Sequence, residues 1–500
     1  MDQQWTHAEK PAPLFDITLH LQDHEQAVHQ PEQQVEKIAS LEEDAQAEWF
    51  SVKLKDNWHK FIPAGRHFPR LTPFHRGQAG YGVFVAGYHK VFLLPPGLLN
   101  LRKHDMPATT EDKSPATRAH GNSTARVQSI DLLRGVVLVL MAIDHVRVYS
   151  GIPAGGPSPD IFFTRWVTNF CAPAFVFLAG ASAFLYGAKL KDKGRLARYL
   201  LIRGFLLIVL ELTVIRFFWM FNFNYANFTL AGVIWMLGWC MILLAAVVRL
   251  RPAVIGIAGL AIIFFQQLFR YVPHILPGEW RRPFGWFWEF FYPSGLDSLP
   301  GIATLYVLVP WIGVMMAGYG FGPLLNRDPA SVKKICLRTG LVAIALFLIT
   351  GLWFILAGPP YKGNLPVVFR LLAQQKYPPS QVFLLMTLGP LIALAPMAGQ
   401  ARGRIASFFK TFGRVPLFYY LLHILLIHVT ALLVNLLREG ATHQEWYTTA
   451  PFTEIPDAHR WTLALLYLVF SIDVAVLYFA CRWYGKYKSG HPEKKGLKYW

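Results

Sequence analysis

The sequence predicts an all-α, polytopic integral membrane protein with about ten transmembrane helices in one bundle. Two observations predict this fold class. Of the 500 residues, 54% are hydrophobic and only 16% are charged, whereas about a quarter of an average soluble domain is charged. The hydrophobic residues also come in blocks of roughly 18 to 25, the length at which a helix crosses the hydrocarbon core of a bilayer.

The positions of these blocks give the predicted helices in order. They are 129–150, 166–188, 199–221, 230–249, 252–269, 303–325, 335–358, 380–399, 411–437 and 461–483. Alternate links between them are rich in Lys and Arg, as in 189–198, whereas the opposite links, as in 221–228, are aromatic and carry few charges. Because cytoplasmic loops of membrane proteins carry the excess of Lys and Arg, both ends of the helical region are predicted to be cytoplasmic.

The formal net charge of +18 does not indicate a nucleic-acid-binding protein. After residue 128 most basic residues lie in short links between hydrophobic blocks, whereas a nucleic-acid binder gathers them on one soluble face. The four cysteines lie in or beside hydrophobic blocks and lack the spacing of a metal site or a disulfide framework. The expected surroundings are therefore the lipid bilayer, without nucleic acid and without a metal ion, and the oligomeric state stays open.

The chain divides into four regions by composition. Residues 1–105 are rich in His, Gln, Glu and Pro without a sustained helical or strand period, and they are predicted to form a poorly ordered N-terminal extension. Met106 opens a new polar tract, so one hypothesis is that translation starts there. Residues 106–127 are predicted to be a polar cytoplasmic linker, 128–488 the ten-helix domain and 489–500 a basic cytoplasmic tail.

Two of the predicted outward links are long, at 270–302 and 359–379. Both combine aromatic and basic residues, as at Trp280, Arg281 and Tyr361, a composition typical of segments that lie in the lipid headgroup region. They are interpreted either as an aromatic belt that anchors the protein or as a lid over an outward-facing acceptor site.

The first predicted helix carries ionisable residues at membrane depth, where such residues are costly and usually functional. Asp131 and Arg134 are three residues apart and share a helical face, so they are expected to pair or to fix the helix start. His145 follows Arg134 by eleven residues, about 16 Å along the helix and on nearly the same face. A neutral imidazole at that depth is suited to be a general base, and this role is predicted for His145, with a hydrogen bond between helices as the alternative. Asp144, about 100° round the helix, is the second catalytic candidate.

Further candidates lie elsewhere in the predicted spans. His423 is mid-membrane, and His428 lies about 140° further round the same helix, so the two are expected to face different surroundings. Asp473 lies mid-span and is expected to be protonated, hydrated or paired with an Arg or His of another helix. Glu211 and Arg216 in the third helix are interpreted as a structural pair.

Several segments resemble one family of membrane enzymes. Residues 126–145, RVQSIDLLRGVVLVLMAIDH, resemble the first-helix signature of the heparan-α-glucosaminide N-acetyltransferase catalytic-domain family. The segment 164–182, TRWVTNFCAPAFVFLAGAS, resembles the second helix of that family. Similar pieces follow at 306–322, 376–380 and 413–423, so the resemblance extends over roughly 126–485 and is strongest to bacterial members.

The resemblance implies an acyltransferase that moves an acyl group, acetyl above all, from cytoplasmic acyl-CoA to a glycan or other polar acceptor at the far side of the membrane. The related acyltransferase type 3 enzymes carry an Arg and a catalytic His at the spacing of Arg134 and His145. Arg134, Asp131 and Arg414 are then the candidates for binding acyl-CoA as co-substrate.

The remaining site candidates follow from the same implied chemistry. Attack on a thioester passes through a tetrahedral intermediate that needs hydrogen-bond donors. Asn169, Ser182 and Thr168 are candidates for this role, and His423 and Asp473 are candidates for a substrate or secondary site.

The sequence departs from the family at one point. In the lysosomal animal members the catalytic histidine lies in the loop after the first helix, with Asn at the position of His145. Here residues 146–169 contain no His, so the heparan substrate is not carried over and His145 is the better candidate. The resemblance to bacterial members predicts the bacterial inner membrane as the location.

The alternative function is a proton-coupled secondary transporter, in which His145, Asp144, His423 and Asp473 would form a proton relay. Transporters of this kind commonly contain internal repeats with paired broken helices. No convincing similarity relates the two halves of this chain, which favours the acyltransferase.

Overall fold

The computed structural model describes residues 115–154, 158–225, 228–293, 302–358, 365–491, 493–494 and 496–497, with side chains from Gln128 onward. The described residues other than Leu365 belong to one compact unit. The predicted N-terminal extension lies outside the described residues, so its order and the alternative start at Met106 stay predictions.

The described part of the chain is almost entirely helical, with fifteen α-helices, short 3-10 or π segments between some of them, and two short strands. The α-helices are α1 Pro115–Ser150, α2 Pro159–Trp166, α3 Cys171–Leu190, α4 Lys193–Leu210, α5 Arg216–Met220, α6 Val233–Val247, α7 Pro252–Phe264, α8 Gly278–Trp288, α9 Leu308–Phe321, α10 Pro329–Ala357, α11 Val367–Leu372, α12 Gln381–Gln400, α13 Arg404–Gly413, α14 Pro416–Glu439 and α15 Leu463–Gly490. The strands are β1 Thr229–Ala231 and β2 Ile302–Thr304.

The fold class predicted from the sequence is confirmed. Within the described residues, six helical segments are long and apolar enough to cross a membrane, and a seventh results if α7 and the 3-10 helix after it, bent by 73°, count as one span. Each of the ten predicted segments contains a helix. Because α1 and α4 carry several charges and α6 has only 15 residues, composition alone does not establish that all ten cross, and the count of ten stays a prediction.

Two local predictions differ from the structure. Helix α1 begins at Pro115, so residues 115–127 of the predicted linker are helical; a helix satisfies its own backbone hydrogen bonds and can continue beyond its apolar block. The predicted spans 230–249 and 303–325 start with β1 and β2, which pair in parallel with Thr229 opposite Ile302. A short apolar run does not distinguish a strand from a helix, so the sequence did not reveal this pair.

Helix α1 lies at the centre of the bundle and packs against α3, α12, α13, α14 and α15. Its contact with α13 depends on two glycines. A Cβ atom at Gly135 would overlap the carbonyl of Phe409, and a Cβ at Gly413 would overlap the carbonyl of Asp131. This close backbone approach places the C-terminal end of α13 beside Asp131 and Gly135 of α1.

A loop between α14 and α15 covers the other end of α1. The Trp461 N–H donates to the carbonyl of Ser150 at 2.9 Å, and the Thr453 hydroxyl donates to the carbonyl of Val148 at 3.1 Å. Glu445 lies in this loop, outside the predicted spans, and accepts a hydrogen bond from His443. This hydrogen bond lowers the pKa of the Glu445 carboxyl. The loop therefore caps the bundle only a few residues beyond His145, a role that the sequence did not indicate.

The two long links predicted to face outward are described in part. The first contains a 3-10 helix at Gln266–Ile275 and α8, whose Trp280 and Trp286 are exposed. Residues 294–301 and 359–364 lie outside the described chain. The membrane anchor and the lid both stay predictions.

Candidate active site

The imidazoles of His145 on α1 and His423 on α14 are in direct contact. Nδ1 of His145 lies 2.7 Å from Nε2 of His423, and the ring centroids are 4.8 Å apart. Nδ1 of His423 lies 2.6 Å from the carbonyl oxygen of Tyr420 and 3.1 Å from that of Tyr419. His423 is completely buried, whereas His145 is partly exposed. These two histidines, which were separate candidates in the sequence, thus form one hydrogen-bonded pair.

Aromatic rings also contact this pair. The Trp219 ring meets His145 edge-on at a centroid distance of 4.8 Å, and the Tyr419 ring stacks on His423 at 5.1 Å. His428 belongs to a different environment, because its Nδ1 lies 2.9 Å from the carbonyl of Phe218 and its ring stacks on Phe221. Its contacts are those of a structural histidine.

Asp144 does not hydrogen-bond to His145. Its carboxylate accepts from Nε of Arg147 at 2.9 Å, and the same guanidinium donates to the carbonyl of Ile152 at 2.7 Å. The charges nearest to Asp144 also include Lys376 and Arg165. Asp144 is therefore an electrostatic neighbour of His145 and not the group that orients it.

Arg134 binds α3 and not its neighbour on α1. Its guanidinium donates to the Ser182 hydroxyl at 2.5 Å and to the Leu178 carbonyl at 3.4 Å. Among the described side chains, no ion pair within 4 Å joins Asp131 to Arg134, although the two interact electrostatically. The predicted close pair on α1 is wrong because a hydroxyl on α3 lies within reach of the same guanidinium.

Asp131 has several basic side chains as electrostatic neighbours, and the basic cluster is defined here as Arg134, Arg203, Lys410, Arg414 and Lys488. Asp131 interacts electrostatically with four of these cations, and Arg203 interacts electrostatically with Arg134 and Lys488. The cluster brings together α1, α4, α13 and α15 at the Arg134 end of the bundle. The cluster combines five cations with the single carboxylate of Asp131, so it has a surplus of positive charge, which suits a multiply charged anion.

Three members of this basic cluster were missing from the predicted site. In the sequence, Arg203 lies near the start of the predicted span 199–221, whereas Lys410 and Lys488 belong to basic segments outside or at the edge of the spans. The one clue was their predicted side of the membrane, which is that of Arg134. Their convergence depends on how α4, α13 and α15 pack around α1, which no local pattern encodes.

The structure separates the candidate donors for a tetrahedral intermediate. Ser182 binds Arg134 and so lies at the basic cluster, away from His145. The Thr168 hydroxyl is buried and donates to the carbonyl of Arg165 at 2.7 Å. Asn169 lies in the 3-10 turn between α2 and α3, which packs against α1, and its amide has no hydrogen-bond partner among the described residues. Asn169 is the candidate that keeps its donors available.

Two other predicted features have different partners from those expected. Oδ1 of Asp473 accepts from the Thr430 hydroxyl at 2.9 Å, about two turns from His423 along α14, so Asp473 does not join the histidine pair. Glu211 does not pair with Arg216. Its carboxylate accepts from backbone N–H groups at the start of α6, beginning with Ile234, because a helix N-terminus offers unpaired donors to an anion.

A separate apolar cavity of about 120 Å³ opens beside Leu133, Leu178 and Leu391. Leu133 is twelve residues before His145, about 18 Å along α1. The cavity is therefore distinct from the histidine pair. Within the part of the chain that the structure describes, no group of three or more His, Cys, Asp or Glu side chains could hold a metal ion.

The comparison with known families concerns the first part of the helical domain. Residues 126–356 match the family model described as heparan-alpha-glucosaminide N-acetyltransferase, catalytic. These residues belong to that family. The resemblance seen in the sequence is thereby confirmed over α1 to α10. No curated protein matches the chain.

Family membership indicates a membrane acetyltransferase and gives no support to the transporter alternative. Apolar helices and this domain together make the chain an integral membrane protein of the transferase class. The match includes Arg134 and His145 and ends before α14, so the resemblance near His423 rests on the sequence motif alone. The contact between His145 and His423 therefore joins the matched part of the chain to the part beyond it.

Proposed function

We propose that the protein transfers an acyl group, acetyl above all, from cytoplasmic acyl-CoA to a hydroxyl or amine of a glycan or other polar acceptor at the far side of the membrane. The observation that carries this proposal is the arrangement of α1. The helix holds Arg134 in the basic cluster, and about 16 Å further along it holds His145, partly exposed and hydrogen-bonded to His423. One helix thus connects an anion-binding end to a base inside the bundle.

The basic cluster is suited to the phosphates of acyl-CoA. Arg134 and Arg414 offer guanidinium groups that match phosphate geometry, with Arg203 and Lys488 adding charge. Asp131 holds the cations together and does not itself contact the donor phosphates. The pantetheine arm then extends along α1 and presents the thioester near His145.

The reaction follows from the chemistry of a general base. The acceptor oxygen or nitrogen forms a bond to the acyl carbon while its proton passes to His145. The carbonyl oxygen becomes an oxyanion, to which Asn169 is available as a donor. Collapse of this intermediate breaks the carbon–sulfur bond, and the CoA thiolate takes the proton from His145, which returns to its neutral form.

The orientation belongs to the same proposal. The links 189–198 and 402–414 are the most basic, and they lie at the end of the bundle that holds Arg134. By the tendency of cytoplasmic loops to be basic, this end faces the cytoplasm. The bacterial inner membrane is the proposed location.

The test uses full-length protein in membranes, radiolabelled acetyl-CoA, and the variants His145→Ala and His443→Ala at matched expression. His443 is the control: it lies in the loop between α14 and α15, where its imidazole hydrogen-bonds to Glu445 and not to the histidine pair. The wild type and His443→Ala are expected to transfer label to a lipid, glycan or protein fraction, and His145→Ala is expected to be slower by roughly 10²- to 10⁴-fold.

Two results would count against the proposal. Transfer by His145→Ala at the wild-type rate would remove His145 as the base. Absence of transfer together with absence of CoA binding to the purified wild type would reject the acyltransferase, and a pH-coupled flux assay would then test the transporter.

A further inference from the structure

The hydrogen bonds of His423 determine which of its nitrogens carries a proton. Its Nδ1 faces the carbonyl oxygens of Tyr420 and Tyr419 at 2.6 and 3.1 Å. Carbonyl oxygens only accept hydrogen bonds, so Nδ1 of His423 must be the donor. In a neutral ring the other nitrogen then has no proton. Nε2 of His423 is therefore an acceptor directed at His145.

This acceptor determines the proton on His145 in turn. Nδ1 of His145 lies 2.7 Å from Nε2 of His423, and two nitrogens at that distance need one proton between them. Because His423 supplies none there, Nδ1 of His145 carries it. The Asp144 carboxylate does not compete, since it accepts from Arg147. Nε2 of His145 is left with an unshared electron pair.

We infer that His423 is a positioning residue that holds His145 in the tautomer with its proton on Nδ1 and its basic lone pair on Nε2. The inference rests on the proposed function for its catalytic meaning. The backbone carbonyls of α14 fix His423, His423 fixes His145, and Nε2 of His145 accepts the proton of the acceptor. In serine hydrolases a carboxylate orients the catalytic imidazole; here a neutral imidazole does so.

The same geometry explains why a neutral orienting group suits this place. An unpaired carboxylate inside an apolar bundle is costly, whereas a neutral imidazole with both nitrogens hydrogen-bonded leaves no unsatisfied group. When His145 takes up a proton, its Nδ1–H bond to His423 becomes charge-assisted and therefore stronger. His423 therefore stabilises protonated His145 while remaining neutral itself.

Two substitutions at position 423 separate this role from simple packing. His423→Gln keeps an amide oxygen to accept from His145 and an amide N–H to donate to Tyr420. His423→Leu fills similar space and offers neither. We expect His423→Leu to lower kcat by roughly 10²- to 10⁴-fold, as loss of the correct tautomer does elsewhere, with KM for acetyl-CoA changed less than about 2-fold.

The conservative variant and a neighbouring histidine are the controls. His423→Gln is expected to recover kcat to within about 10-fold of the wild type, since it restores the acceptor. His428→Gln, a change on the same helix outside the pair, is expected to leave kcat unchanged. Equal kcat losses for His423→Gln and His423→Leu would show that only the shape of the imidazole matters, which would overturn the inference.

The tautomer itself is measured by nitrogen-15 NMR of histidine-labelled protein in detergent or nanodiscs. The His145 signals are those lost in His145→Gln. The wild type is expected to show a protonated Nδ1 and an unprotonated Nε2, and His423→Leu is expected to shift protons towards Nε2. A protonated Nε2 in the wild type would overturn the inference.

This measurement needs no substrate, so it separates the inference from the proposed function. If the wild type shows the expected tautomer but transfers no acyl group, only the function fails. If it transfers acyl groups but its tautomer is the opposite one, only the role of His423 fails. Should His423→Leu not fold, the wild-type spectrum and His423→Gln still decide.

Discussion

The two ends of the proposed reaction path are built in different ways. The basic cluster combines five cations with one carboxylate, so its effect on an anion is the sum of several charges. The histidine pair depends on one contact of 2.7 Å between α1 and α14, and one of its two rings, His423, is completely buried. At the basic cluster several residues contribute to anion binding, so the loss of one leaves the others. At the histidine pair the function depends on a single hydrogen bond.

The largest effect expected at the basic cluster comes from Arg134, which faces the interior and binds α3. Arg134→Gln should raise KM for acetyl-CoA by roughly 10- to 100-fold, the value of one hydrogen bond to a charged group, with kcat changed little. Steady-state kinetics at constant ionic strength measure both constants. Ser182→Ala removes the hydroxyl that Arg134 binds and keeps the charge, so its KM should rise by less than about 3-fold.

If Ser182→Ala raises KM as much as Arg134→Gln, the guanidinium matters for packing against α3 and not for the donor. A fall in kcat of Arg134→Gln as large as that of His145→Ala would also break the comparison. It would mean that the two ends do not act on separate steps.

Asp144 offers a smaller and sharper test inside the bundle. Because its carboxylate binds Arg147 and only neighbours His145, Asp144→Asn should lower kcat by about 10-fold or less, the size of an indirect electrostatic effect. The rate of label transfer by Asp144→Asn, set beside His145→Ala, gives the ratio. A loss equal to that of His145→Ala would make Asp144 an orienting or catalytic group, against its observed contacts.

The smallest effects are expected at the edge of the basic cluster. Lys488→Gln and Arg414→Gln should each raise KM for acetyl-CoA by about 2- to 5-fold, and the difference from wild type should shrink as salt is added, because surface charges are screened. Lys486→Gln, exposed on the same helix, is the matched control with an expected change near zero. KM values measured at two salt concentrations test this, and an effect that does not respond to salt would argue against an electrostatic role.

Much of the fold was readable from the sequence because a bilayer imposes a simple rule. Each hydrophobic block had to be a helix, and each predicted block contains one. The same rule did not reveal the pairing of β1 with β2 or the start of α1 at Pro115. Both depend on how chain ends and links pack, and hydrophobicity carries no information about that.

The sequence predicted individual residues of the site but not how they are arranged. His145 and His423 were both singled out for their depth, yet they are 278 positions apart and only the packing of α1 on α14 brings them together. Spacing placed Asp131 and Arg134 on one face, but the partner of Arg134 came from α3. Helical spacing predicts which side chains share a face of one helix, but it does not predict which side chains of a neighbouring helix contact them.

The most direct test of the account is the side of the membrane from which the donor acts. Acetyl-CoA does not cross a bilayer, so inverted and right-side-out vesicles carrying the full-length protein expose opposite ends of the bundle to radiolabelled acetyl-CoA in the medium. The account predicts label transfer with inverted vesicles, whose cytoplasmic face is outside, little with right-side-out vesicles, and equal transfer by both after detergent. Transfer by right-side-out vesicles alone would contradict it, because the basic cluster would then lie at the wrong end to receive the donor.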